Sequence, residues 1–72
     1  MSVLRKFGLR VRQLREARGW SQEDFAEKAD LHRTYVSGIE RGTRNPTLTV
    51  LARIADGFGM TLDELLQRVS GK

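Results

Sequence analysis

Five residues near the middle of the chain carry the types and spacing that suit recognition of a nucleic acid: Arg33, Thr34, Ser37, Gly38 and Arg41. At the 100° per residue of a helix they fall on one arc, opposite Tyr35, Val36 and Ile39, with Glu40 at the border. Guanidiniums can donate a fork to guanine O6 and N7, and hydroxyls can bond base edges or phosphates. Polar outward faces are common on helices, so the face by itself is equally that of a solvated helix. Gly38 removes bulk where two surfaces could approach. Gln22, His32, Tyr35, Arg44 and Asn45 are further residues able to hold a phosphate. Gln22 would do so beside a helix N-terminus, which itself favours an anion. Arg41, Arg44 and Asn45 suit contacts that position without reading sequence, or plain solvation. His32 is a cap or a phosphate ligand. Tyr35 is either core or a hydroxyl on phosphate.

No catalytic set accompanies them. Asp63-Glu64 reads as a helix start, and Glu23, Asp24, Glu27 and Asp30 as the wet side of a helix. A lone histidine and no cysteine leave no metal site, no disulfide and no thiol chemistry. No cofactor or small-molecule ligand is implied.

Positioning those residues takes two short helices and a tight turn, from Ser21 to Gly42. Ser21 can cap the first, at about Gln22 to Lys28, with Trp20 and Phe25 as a hydrophobic staple. Its Phe25, Ala26 and Ala29 face inward. His32 stands at the cap of the second, Arg33 to Arg41, with Leu31 and Val36 as its staple and Gly42 as its stop. Before this pair, Leu4, Phe7, Val11, Leu14 and Ala17 recur at helical steps, predicting a helix from about Val3 to Arg18 that stops at Gly19. Gly8 inside it costs about 1 kcal/mol relative to alanine, and a close helix crossing would explain its presence. After the pair, Pro46 marks a loop. A fourth helix follows from the Thr47 cap to about Gly57, with Leu48, Leu51, Ile54, Ala55 and Phe58 inward and Gly57 and Gly59 ending it. A fifth, about 61–69, opens on a Thr61–Glu64 capping box with Met60 and Leu65 as its staple. The tail Ser70-Gly71-Lys72 is expected to fray. The expectation is one all-α domain over residues 1–72.

Within a net charge of +4, residues 1–18 hold six basic side chains against the single Glu16. That asymmetry suits a polyanion partner. No apolar run approaches the roughly 20 residues of a membrane span, and no signal-peptide pattern opens the chain, so the cytoplasm is the expected compartment.

The stretch SQEDFAEKADLHRTYVSGIERG, with Asn45-Pro46 after it, resembles the helix-turn-helix DNA-binding domain of the Cro and lambda-repressor type. Ser21-Gln22, Ala26, the turn at Ala29-Asp30-Leu31, Ser37, Ile39-Glu40 and Gly42 carry the likeness. It extends from about Phe7 to Leu66. RTYVSGIERG is also similar to the controller proteins of bacterial restriction–modification systems. The resemblance implies a five-helix domain whose third helix enters the major groove of double-stranded DNA. Arg33, Thr34, Ser37 and Arg41 would read bases; Gln22, His32, Tyr35, Arg44 and Asn45 would hold phosphates. In the family, the counterparts of Arg15 and Glu40 pair between the first and third helices, and the counterpart of Gln22 contacts the DNA backbone and can brace the recognition helix. A phage-type repressor and an antitoxin-type autoregulator share the motif. A module using this fold to dock a protein would instead expose large apolar anchors. Contact with RNA polymerase is a further partner expectation for such a regulator.

A homodimer is expected as well. Met60, Leu62, Leu66 and Val69 are the expected interface, with Leu65 covering the first helix. Two-fold pairing would set two recognition helices about 34 Å apart, on a near-palindromic operator.

Overall fold

The computed structural model describes residues 2–69, and the 70–72 tail lies outside them. The elements are α1 (Val3–Ala17), α2 (Gln22–Ala29), α3 (Arg33–Arg41), α4 (Leu48–Phe58) and α5 (Leu62–Leu65), with no strand among the described residues. Their inner faces meet in one core, with Phe25, Ile39, Ile54, Leu65, Val11 and Val36 fully buried.

Side chains set most boundaries. Ser2, Ser21, Thr47 and Thr61 each accept a bond from the third backbone N–H beyond them, which removes an orphan donor at each helix start. Ser21 does so reciprocally: Asp24 N donates to its Oγ at 3.0 Å, and its own N–H donates to Asp24 Oδ2 at 2.9 Å. That bond from the Ser21 backbone, with help from its hydroxyl, holds the Asp24 carboxyl below its ordinary pKa. The stabilisation is therefore present above the ordinary aspartate range and lost as pH falls through the lowered value. Asp24→Asn is expected to flatten the acid limb of a thermal-stability profile; an unchanged limb would rule out this linkage.

Gly8 sits where α1 crosses α3. A Cβ there would meet the backbone carbonyl oxygen of Ile39 and lie 2.6 Å from that of Glu40. The missing side chain lets the two backbones touch. Trp20, Phe25 and Phe58 stack in parallel, with Phe25 and Phe58 4.1 Å apart, and join the α2 start to the α4 end.

Three expectations change. Gly57 does not stop α4: a Cβ there would lie 3.1–3.2 Å from Phe25 and Ala29, and the left-handed residue that ends the helix is Gly59, at φ +70°. Leu48 is 69% exposed, because the first turn of α4 projects beyond the core. The fifth helix ends at Leu65 rather than near 69; Arg68 adopts φ +69° and the chain turns. That turn folds Val69 against the core at 5% exposure.

The basic N-terminal third is also not a free cationic face. Arg10 donates to the Glu64 and Leu65 carbonyls, at 2.8 and 3.2 Å. Arg18 donates to the Phe58 carbonyl at 3.0 Å, its guanidinium 4.9 Å from that ring's centre. Both satisfy carbonyls that helix ends leave orphaned. Arg12 pairs with Glu16 one turn away.

Candidate nucleic-acid interface

The turn before α3 is made by Asp30, which takes the left-handed conformation at φ 57°. An aspartate tolerates that region better than most residues, since its short polar side chain bonds locally. His32 occupies the N-cap of α3, but its side chain makes no capping bond. The cap role considered for it is therefore absent, and the imidazole stays exposed at the helix start.

From there Arg33 and Thr34 are exposed, Ser37 is half-buried and Arg41 is exposed. Arg41 Nη1 donates to Ser37 Oγ in a short bond between the two groups, four residues apart. The face thus has an open end at Arg33-Thr34 and a coupled end at Ser37-Arg41.

The other side of α3 is anchored. Arg15 Nε and Nη2 fork onto Glu40 Oε2 and Oε1 at 2.6 and 3.0 Å, and Arg15 Nη1 donates to the Trp20 carbonyl at 2.7 Å. The two side chains are 11% and 5% exposed, so the pair is buried. Hydrogen bonding to Glu40 raises the Arg15 pKa above its ordinary value, against an opposing effect of burial, so the guanidinium stays charged. Gln22 Nε2 adds a bond to Glu40 Oε1 at 3.1 Å. One carboxylate therefore gathers α1, the α2 start and the α3 end. Gln22 is the half-buried member, tied to Glu40 while adjoining the exposed N-terminus of α2.

Gly38 is not on the open surface, unlike the expectation from its helical phase. The chain after α3 roofs it: Thr43 Oγ1 donates to the Gly38 carbonyl at 3.1 Å, and a Cβ on Gly38 would lie 2.5 Å from Arg44 Cγ. The Arg44 stem crosses the helix at this gap, and its guanidinium rests 5.3 Å from the centre of the Tyr35 ring. That is cation–π range. Tyr35 is half-buried beneath it, while Asn45 is exposed in the extended segment that follows. Thr43 was missed from sequence, since a threonine after a helix-stopping glycine has no distinctive spacing.

The assembly is a helix held rigidly from behind, with guanidiniums and hydroxyls on the side away from the core. Such a surface can donate to base edges and to phosphate oxygens. Among the described residues no helix is long and apolar enough to cross a membrane.

Comparison with known proteins agrees with this geometry. The helix-turn-helix family profile matches residues 11–65. The control protein C.MunI of a Mycoplasma species is 46% identical over 65 residues, covering 89% of this chain and 88% of that protein. The control protein C.BamHI of Bacillus amyloliquefaciens is 48% identical over 61 residues, covering 83% and 75%. Among solved structures, the restriction-modification controller protein C.AhdI of Aeromonas hydrophila superposes with a TM-score of 0.83 at 45% identity, covering 86% of this chain and 94% of that one. The profile spans the braced pair α2–α3 and most of the helices that pack on it, and the likeness to the control proteins runs through nearly the whole chain. The chain therefore belongs to the helix-turn-helix family of DNA-binding transcriptional regulators, and is not an enzyme.

Proposed function

We propose that this protein is a cytoplasmic controller of a restriction–modification operon, binding a near-palindromic operator as a homodimer. The observation that carries the DNA-reading part is the exposed Arg33-Thr34 end of α3 on a helix anchored from behind by Arg15, Glu40 and Gln22. Arg33, Thr34, Ser37 and Arg41 face the bases in the major groove. Gln22, His32, Tyr35, Arg44 and Asn45 lie along the flanking phosphates. Similarity to control proteins over most of their length supports the operon assignment. Contact with RNA polymerase belongs to the same proposal, for operators at which the protein activates.

For the dimer, the supporting surface is Met60, Leu62 and Leu66, all half-buried. Leu66 and Val69 also border an open, mostly apolar cleft with Leu4, Phe7, Pro46 and Leu51. Val69, at 5% exposure, contributes to that surface only as part of the cleft wall.

Selection of bound sites from a random DNA pool tests the reading, together with sedimentation at high micromolar concentration. Two related half-sites about 10 bp apart centre to centre are expected, and a dimer in the cell. A single asymmetric site with a monomeric protein would overturn the homodimer; no enriched site at all would overturn sequence-specific reading. Arg33→Ala is expected to weaken operator binding by about 1–3 kcal/mol while leaving random DNA nearly unaffected. An equal fall on both would make Arg33 a phosphate contact instead.

A further inference from the structure

We propose that Arg5, on the first turn of α1, is an additional DNA-phosphate contact, delivered to the end of the recognition helix by packing against Gly42. The inference rests on the reading that α3 enters the major groove. Of the four arginines on α1 and Arg18 at its C-cap, all but Arg5 are engaged: Arg10 on the α5 carbonyls, Arg12 on Glu16, Arg15 on Glu40, and Arg18 on the Phe58 carbonyl. Among the described residues, Arg5 has neither a carboxylate within ion-pair distance nor a side-chain hydrogen bond, and it is exposed.

Its position is specific. Gly42 caps α3 in the left-handed conformation, φ +76°, and a Cβ there would lie 2.8 Å from Arg5 Cγ and 3.1 Å from Arg5 Cα. The Arg5 stem therefore lies directly on the C-cap of the recognition helix. One helical step back, Gly38 accommodates the Arg44 stem in the same way. Two arginine stems therefore pack on the C-terminal part of α3, each against a glycine. One comes from the loop after α3 and the other from the start of the chain. A guanidinium with no protein partner, held at the end of the recognition helix, can donate charge-assisted bonds to a phosphate oxygen there. Nothing in the local spacing of Arg5 signals this, since Gly42 is far along the chain.

Salt titrations of binding to random duplex DNA, followed by fluorescence anisotropy, test the assignment. Each phosphate contact contributes about −0.9 to the log–log slope. Arg5→Gln is expected to make the slope shallower by about that amount. Arg12→Gln removes the same charge from the same helix and is expected to leave the slope at its wild-type value. Arg5→Met keeps the apolar stem over Gly42 and is expected to match Arg5→Gln, whereas Arg5→Lys keeps the wild-type slope. An Arg5→Gln slope equal to wild type overturns the contact. So does an equal change in Arg12→Gln, which would reduce the effect to bulk charge. A wild type showing no salt-dependent binding to duplex DNA is a different result, and overturns the DNA-reading proposal itself.

Discussion

Replacing Glu40 with alanine is expected to destabilise the fold by about 3 kcal/mol, more than any single change on the DNA-facing surface. The reason is what it leaves behind. Arg15 would stay buried with its charge, its two bonds to Glu40 lost and only the Trp20 carbonyl as partner. Breaking one side of a buried pair costs about 3–5 kcal/mol, because an uncompensated charge remains. The lower end applies here, since the guanidinium retains one acceptor. For a domain of this size that is a fall in Tm of roughly 12–24 °C. Gln22 would lose its acceptor as well. Arg15→Met combined with Glu40→Leu removes both charges and is expected to recover part of the loss. Thermal melts of the single and double variants decide the matter. A Glu40→Ala protein melting within a few degrees of wild type would show that solvent reaches Arg15.

Gly8→Ala is the second large effect, and its sign runs against helix propensity. On an isolated helix the change would gain about 1 kcal/mol. Here the new methyl would meet two backbone carbonyls of α3, those of Ile39 and Glu40. Neither can rotate away as a flexible side chain could, so α3 must shift relative to α1. Overpacking of this kind costs about 1–3 kcal/mol and occasionally more, and the shift also disturbs the Arg15–Glu40 fork at the same crossing. A net loss of about 2 kcal/mol is expected, read as a lower denaturation midpoint at unchanged m-value. Operator affinity is expected to fall beyond what the unfolded fraction accounts for, because the moved element is the one proposed to read DNA. A more stable Gly8→Ala protein would mean that the crossing is looser than the structure describes.

Helix starts were legible because the chemistry that makes them is local. Ser21, Thr47 and Thr61 each find their partner three residues on, and that spacing is visible in the chain. The orientation of α3 was legible for the same reason: its apolar and polar residues separate at helical phase. What was obscure depended on distant partners. Leu62, Leu65, Leu66 and Val69 fit a continuing helix, but they fit equally a single turn followed by a reversal at Arg68, and burial of Val69 selects the reversal. Gly57 looks like a stop until Phe25 and Ala29 are seen beneath it. Gly38 looks like an opening toward DNA until Thr43 and Arg44 fold over it. The N-terminal excess of positive charge suits a polyanion partner in sequence, but much of it is engaged within the fold. Arg10, Arg15 and Arg18 instead meet acceptors 54, 25 and 40 residues away, and no periodicity within α1 could indicate that.

The reach of Arg10 has a consequence for the order in which the protein can form. Its guanidinium closes on the Glu64 and Leu65 carbonyls, and Leu65 and Val69 complete the same core as Phe7 and Val11. Synthesis proceeds from the other end. A nascent chain that has released α1 through α4 can already join Arg15 to Glu40 and hold α3 in place, yet the apolar side of α1 still lacks its last cover. Exposed apolar surface of this kind invites association while the chain is unfinished. α3, proposed to read DNA, is thus assembled early and sealed late, by residues at the far end of the described chain.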